Sequence, residues 1–144
     1  MASIVSVEQL KGLASGSTPN TISIPAGQTL HAPGHIIQVI EGPEFHTTIG
    51  VTATTYFDLG LSVTITPKSS TSKIFVMTNV HCYLNGTGFI ALRVVRGSTE
   101  VVEAAKATSA TTYKVQVKAV GISNLPRVND GGGPSRITVM EVAQ

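Results

Sequence analysis

The chain has no tryptophan, a single cysteine and little charge, with Asp, Glu, Lys and Arg making up only 12% of its 144 residues. Wholesale disorder, which needs low hydrophobicity and high charge, is excluded by a 42% apolar content. Cys82 has no second cysteine to bond with, so an intrachain disulfide framework is excluded and stability must come from packing or partner chains. No apolar run approaches the roughly 20 residues of a membrane-spanning helix, so membrane insertion is not expected. The net charge is +2 and the basic residues are scattered, which argues against a nucleic-acid partner. The opening stretch MASIVSVEQLKG has neither a basic leader nor a continuous apolar segment, so synthesis is expected to end in a cytoplasm.

What is present is a strand grammar. From Ile36 onward, short segments rich in Val, Ile, Thr, Tyr and Phe alternate with clusters of Gly, Pro, Asn, Asp and Ser. HIIQVI reads as one strand and HTTIGVTATTYFDLG as one long strand or two. LSVTITP places Leu61, Val63 and Ile65 on one face and Ser62 and Thr64 on the other, with Pro67 and KSSTS closing a turn. KIFVMTNVHCYLNG is the most apolar piece and carries large side chains on both faces. Ile74, Val76, Val80, Cys82 and Leu84 fall on one, and Phe75, Met77 and Tyr83 on the other. Such a strand is expected to be central and covered twice, by the facing sheet and by a loop or a second subunit, which makes Phe75, Met77 and Tyr83 candidate oligomer contacts. Through the turn NGTG it is expected to form a hairpin with GFIALRVVRGST, which ends at a second turn around Gly97. TTYKVQVKAVG turns Tyr113, Val115, Val117 and Ala119 inward and Lys114, Gln116 and Lys118 outward, and SRITVMEVA follows a flexible loop, NDGGGPS. STEVVEAAKATSA reads as a strand end and a long loop. The expected class is all-β, an antiparallel, jelly-roll-like β-sandwich over residues 35–144.

The first 34 residues are built differently. They hold one possible helical turn, a Gly/Ser/Pro/Asn-rich spacer and the short extended piece TISIP. Val5, Leu10, Ile22, Ile24 and Leu30 are too sparse to bury a core of their own, so this arm is expected to order only against another surface.

Sites of chemistry are hard to find. His31 and His35 stand four apart, but Pro33 and Gly34 exclude a regular helix between them. In an extended chain they lie over about 10 Å apart, too far for one ion. Around a threefold axis three copies of one of these histidines can still share a metal, and the preferred reading is of polar residues at the joint between arm and domain. His46 and His81 read as hydrogen-bonded or surface side chains, and Cys82 as a buried small hydrophobe. Glu41 and Glu44 flank Pro43 in a turn, where solvated acids are expected. A glycan-cleaving enzyme would need two carboxylates about 5 to 10 Å apart in a groove, and the eight acids are scattered among turns. GGGPS lacks the Lys and the helix of a phosphate cradle. No catalytic residue and no cofactor are expected.

Five segments, in order, carry a resemblance. Pro33 to Val39, Leu59 to Val76, Arg96 to Thr99, Ser109 to Lys114 and Ile137 to Val142 closely resemble a module of virion structural proteins, often labelled tail fibre proteins, of tailed phages from aquatic hosts, cyanophages among them. VEQLKG and NTISIPAGQTLHAPG are similar to the lead-in that precedes this module in longer phage proteins. The resemblance implies a virion protein made in the host cytoplasm, homotrimeric, and attached to other tail or capsid proteins through residues 1–34. A fibre with its own shaft would be longer, so a fibre tip, a small knob or a capsid decoration is the expected form. A host-surface glycan is a further expected partner, met by loops such as LNGTG and NDGGGPS.

Overall fold

A computed structural model of the chain describes residues 32–100 and 108–144. Among these residues ten strands follow one another: β1 (Ile36–Glu41), β2 (Ile49–Gly50), β3 (Phe57–Ile65), β4 (Lys73–Asn79), β5 (Cys82–Tyr83), β6 (Phe89–Arg96), β7 (Thr99–Glu100), β8 (Thr111–Val120), β9 (Arg127–Val128) and β10 (Arg136–Val142). A single 3-10 turn, Asp130–Gly132, separates the last two.

Every pairing is antiparallel. The first sheet has the order β1-β10-β4 and the second β3-β8-β6-β7. A small sheet, β2-β9-β5, joins strands that each follow or precede a strand of the first, so it prolongs that sheet past a bend. The chain thus alternates between layers: β1 in one, β3 in the other, β4 back in the first, β6 to β8 in the second, and β10 between β1 and β4. This winding is that of a jelly roll. The fold is an all-β sandwich, as alternation and turn spacing led us to expect.

The core lies where the inner faces meet. Leu59, Leu61, Val63 and Ile65 of β3, Tyr113, Val115, Val117 and Ala119 of β8, and Ile137 and Val139 of β10 are buried together. Each fully buried aliphatic side chain of this kind contributes about 1.5 to 3 kcal/mol. The faces of β3 and β8 are those that the alternation of LSVTITP and TTYKVQVKAVG predicts. Gly60 sits at a register shift in β3 with φ of 92°, and a Cβ there would stand 3.1 Å from the Phe45 ring, so both the backbone conformation and the space call for glycine.

Three expectations are corrected. β4, the most apolar strand, is an edge and not central: β10 takes the middle of the sheet and pairs with both neighbours. β4 and β6 form no hairpin, because the chain crosses to the other sheet after β5 and β6 pairs with β8. Of the two readings of HTTIGVTATTYFDLG the second holds: it contains two strands, Ile49–Gly50 and the start of β3, with a loop between them. Cys82 is exposed, as is Leu84, so neither continues the core-facing row of Ile74, Val76 and Val80. The expected turn after β6 falls at Gly97, whose φ is 60°, and STEVVEAAKATSA opens as strand in β7, while residues 101–107 lie outside the described residues.

Candidate interaction surface

The outer face of the first sheet is apolar. Opposite residues of an antiparallel pair share a face, and the register sets Val39, Met140 and Phe75 in one row across the three strands. Ile36 and Val142 lead the next row, ending at Lys73, and Thr138 joins Met77 to Glu41 in the row on the other side. Ile36 and Val39 are three residues apart yet share this face because the β1 register shifts between Ile36 and Gln38. Ile36, Val39, Phe75 and Met77 remain 47%, 54%, 56% and 51% exposed. Charge is confined to the two ends. Lys73 stands at one, and at the other Arg136 donates to Glu41 at 3.5 Å and to Glu44, which also meets His46 at 2.9 Å. Near that polar end, Glu41, Met77, Asn79 and Arg136 line a hollow of about 300 Å³.

The outer face of the second sheet is polar and satisfied within the chain over most of its extent, with Phe89, exposed and paired with Val120, an apolar exception at the start of β6. Asp58 accepts from Lys114 Nζ and from Gln116 Nε2, both at 2.6 Å, and Arg93 Nε donates to Gln116 Oε1 at 2.9 Å. The Tyr56 ring carries the Arg93 guanidinium at 4.1 Å and the Lys118 ammonium at 4.6 Å from its centroid. The hydrogen bond from Lys114, then that from Gln116, hold the Asp58 carboxyl below its ordinary range.

Two buried polar anchors shape the edges of the first sheet. Glu141 is 0% exposed on a strand whose other inward residues are aliphatic. Its carboxylate accepts from Gln38 Nε2 at 2.5 Å, from the Lys68 amide at 2.8 and 3.0 Å, and from the Ser69 amide at 3.1 Å. It thereby closes the β3–β4 turn onto the sandwich. Burial alone would raise this carboxyl, but the hydrogen bonds from Gln38, Lys68 and Ser69 outweigh it and the group is held below its ordinary value. The buried Ser72 hydroxyl lies near enough to favour the charge without making a hydrogen bond of ordinary geometry. Asn129, buried and left-handed with φ of 58°, is the second anchor. Its Nδ2 donates to the Phe45 and Thr47 carbonyls, its Oδ1 accepts from Ser135 Oγ, and its amide donates to the His81 carbonyl. The NDGGGPS segment is therefore pinned at its first residue rather than being a free loop.

The two ends of the sandwich differ. The chain comes in beside the β3–β4 turn, where Gly34 N donates to Ala143 O and Ala143 N donates to His35 O. At the opposite end the LNGTG loop is tied to the β8–β9 loop by Thr87 N to Ser123 Oγ at 3.1 Å and Ser123 N to Thr87 O at 3.3 Å. Gly88, with φ of 101°, lets these loops close, since a Cβ would fall 2.5 Å from Gly121 O.

Phe75 and Met77 thus stand on the outer face that they were expected to occupy, joined by Ile36, Val39, Met140 and Val142, which sequence reasoning missed. Tyr83 is exposed but lies past the bend, in the small sheet opposite Arg127. His35 is exposed at the joint, and His46 and His81 are exposed too, with the His81 amide donating to Ser135 Oγ. Glu41 and Glu44 share Arg136 rather than facing each other across a groove. Partial burial pushes the exposed Cys82 thiol up, which disfavours the thiolate. Among the described residues no group of three His, Cys, Asp or Glu is placed to hold a metal, and no helix is long and apolar enough to cross a membrane. Val5, Leu10, Ile22, Ile24, Leu30 and His31 lie outside the described residues. Comparison of the chain with protein-family models, curated proteins and solved structures finds no match.

Proposed function

We propose that this chain is a structural protein of a tailed-phage virion, a homotrimeric fibre or fibre-tip module fixed to another virion component by residues 1–34. The observation that carries the reading is the outer face of β1-β10-β4, where apolar side chains from all three strands adjoin with no charge between them. Contiguous exposed apolar surface of this kind marks contact with another macromolecule. It occurs on a jelly roll, an architecture that viral capsid proteins use, in a chain whose five ordered segments resemble the phage module. The polarity of the sandwich suits attachment, since the chain comes in at one end and the LNGTG loop projects at the other, where a host-surface glycan would be met. In this reading the protein is non-catalytic, needs no cofactor, and reaches the virion after synthesis in the host cytoplasm.

The test is deletion of residues 1–30 in the phage that encodes the chain. The shortened protein should keep its β circular dichroism yet be missing from purified virions, while the full chain is present. Incorporation of the shortened protein at the full-length level would overturn the role of the arm, and absence of the full chain from virions would overturn the virion reading. Gold labelling of intact particles then places the protein on the tail or, in the capsid-decoration alternative, on the head.

A further inference from the structure

We infer that the hollow at the polar end of the β1-β10-β4 outer face is a binding site for a neutral pyranose unit of a glycan. The inference rests on the glycan contact in the reading above and says where that contact is made and by which groups.

The frame is built from strands alone. Glu41 is the last residue of β1, Met77, Thr78 and Asn79 close β4, and Arg136 and Thr138 open β10. On the outer face Asn79 stands opposite Arg136, and in the next row Thr138 stands between Met77 and Glu41. β1 ends at Glu41, so the Asn79–Arg136 row has no third member. This is the end of the sheet away from the chain entry, where Gly34 donates to Ala143. Groups carried on strands hold their geometry better than groups on loops. A volume of about 300 Å³ is at the lower end of the range for small-molecule sites and gives room for a single sugar-sized ring.

The polar groups have capacity to spare. Among the described residues the Asn79 side-chain amide and the Thr138 hydroxyl have no hydrogen-bond partner. The amide offers two donors and an acceptor, and the hydroxyl offers one donor and two lone pairs. The Glu41 carboxylate meets Arg136 at 3.5 Å, which leaves most of its acceptor capacity open. Arg136 is oriented by Glu44, itself fixed by His46 at 2.9 Å, and the five N–H donors of a guanidinium outnumber its carboxylate contacts. Donors and acceptors thus alternate around the hollow, as adjacent sugar hydroxyls require, since each hydroxyl both donates and accepts.

Charge selects a neutral ligand. Glu41 and Glu44 set two carboxylates against one guanidinium, so a phosphate or a uronate is repelled. Among the described residues no group of three His, Cys, Asp or Glu is placed to hold a metal ion instead. Met77, 51% exposed, adds an apolar wall, and Phe75, 56% exposed, continues it one row on. A pyranose has the same division, with C–H groups on its ring faces and hydroxyls around its edge. A wholly apolar ligand would leave Asn79, Thr138 and Glu41 desolvated and unpaired.

Titration of the full chain with the methyl glycosides of glucose, galactose, mannose and N-acetylglucosamine, followed by amide and methyl NMR, tests this, with glucuronic acid as the anionic comparison. At about 50 mM sugar even a Kd of about 10 mM gives over four-fifths occupancy. At least one neutral glycoside should shift the Asn79 side-chain amide, the Arg136 and Thr138 backbone amides and the Met77 methyl together, saturably and at lower concentration than glucuronic acid. Thr138→Val and Asn79→Ala should each weaken that binding about three- to tenfold, while Lys118→Ala on the other sheet should leave it unchanged. Absence of saturable shifts from every neutral glycoside would overturn the site, whatever the virion content of the chain. Shifts confined to Thr87 and Ser123 would also overturn it and return the glycan contact to the LNGTG loop. Tighter binding of glucuronic acid would overturn the ligand class, and unchanged affinity in both site variants would overturn the assignment of the residues.

Discussion

Glu141 offers the sharpest test of the physics that holds the sandwich closed. Replacing it with glutamine keeps size and shape but turns one acceptor oxygen into a donor. Neither orientation of the amide suits the site. The Lys68 amide reaches both oxygens, the Ser69 amide reaches Oε1, and Gln38 Nε2 reaches Oε2. If the new NH₂ faces Gln38, that side chain must flip and lose its bond to the Thr66 carbonyl at 2.9 Å. If it takes the Oε1 position, the Ser69 amide loses its acceptor and the Lys68 amide keeps only the oxygen at 3.0 Å. A hydrogen bond to a charged group is worth about 1.5 to 3 kcal/mol and an unsatisfied buried donor costs about 1 to 3 kcal/mol, so Glu141→Gln should destabilise by about 2 to 3 kcal/mol at pH 7. The sign of the pH effect follows from linkage. The folded carboxyl titrates below its ordinary value of 4.5, so the unfolded chain binds more protons in acid. The stability from this group is full above that value and is lost as pH falls below it through the folded titration. Guanidinium denaturation of parent and Glu141→Gln at one protein concentration, between pH 7 and pH 3, should show a gap that narrows in acid. Equal midpoints at pH 7, or a gap that stays constant through the acid range, would refute the reasoning.

Two further outcomes are expected. Asn129→Ala should cost about 3 kcal/mol by denaturant titration, since it removes the bonds to the Phe45 and Thr47 carbonyls and takes the acceptor from the buried Ser135 hydroxyl, and Asn129→Gly should cost about 1 kcal/mol less because glycine tolerates the left-handed backbone. Lys114→Ala should change stability by under about 1 kcal/mol, as expected for a solvent-screened pair, while an NMR titration should find the Asp58 carboxyl moved up toward its ordinary value.

The inward faces of β3 and β8 were readable from the chain, because a period of two is a property of a single strand and needs no neighbour. The turns at Pro67 and Gly97 were readable for the same reason, as each depends on local backbone preference. Glu141 was also there to be seen, since alternation from Ile137 and Val139 sets a carboxylate on the core side. Its meaning came only when the β3–β4 turn, some 70 residues earlier, was brought over it. Asn129 was hidden in a run that reads as a flexible loop, and its burial follows from the close approach of Phe45, Thr47, His81 and Ser135.

The apolar surface divides in the same way. That Phe75 and Met77 oppose Ile74 and Val76 is written in the strand itself. That β4 stands at an edge, and that Ile36, Val39, Met140 and Val142 extend its outer face, was decided by pairing across the sheet. A strict period of two from Ile36 would have grouped it with Gln38 and Ile40, and only the register shift in β1 turns Ile36 and Val39 to the same side. Alternation along one strand is therefore a consequence of covalent geometry, legible without folding. Strand order, bulges and the neighbours that cover a face are properties of contacts between distant segments, and these the tertiary structure alone decides.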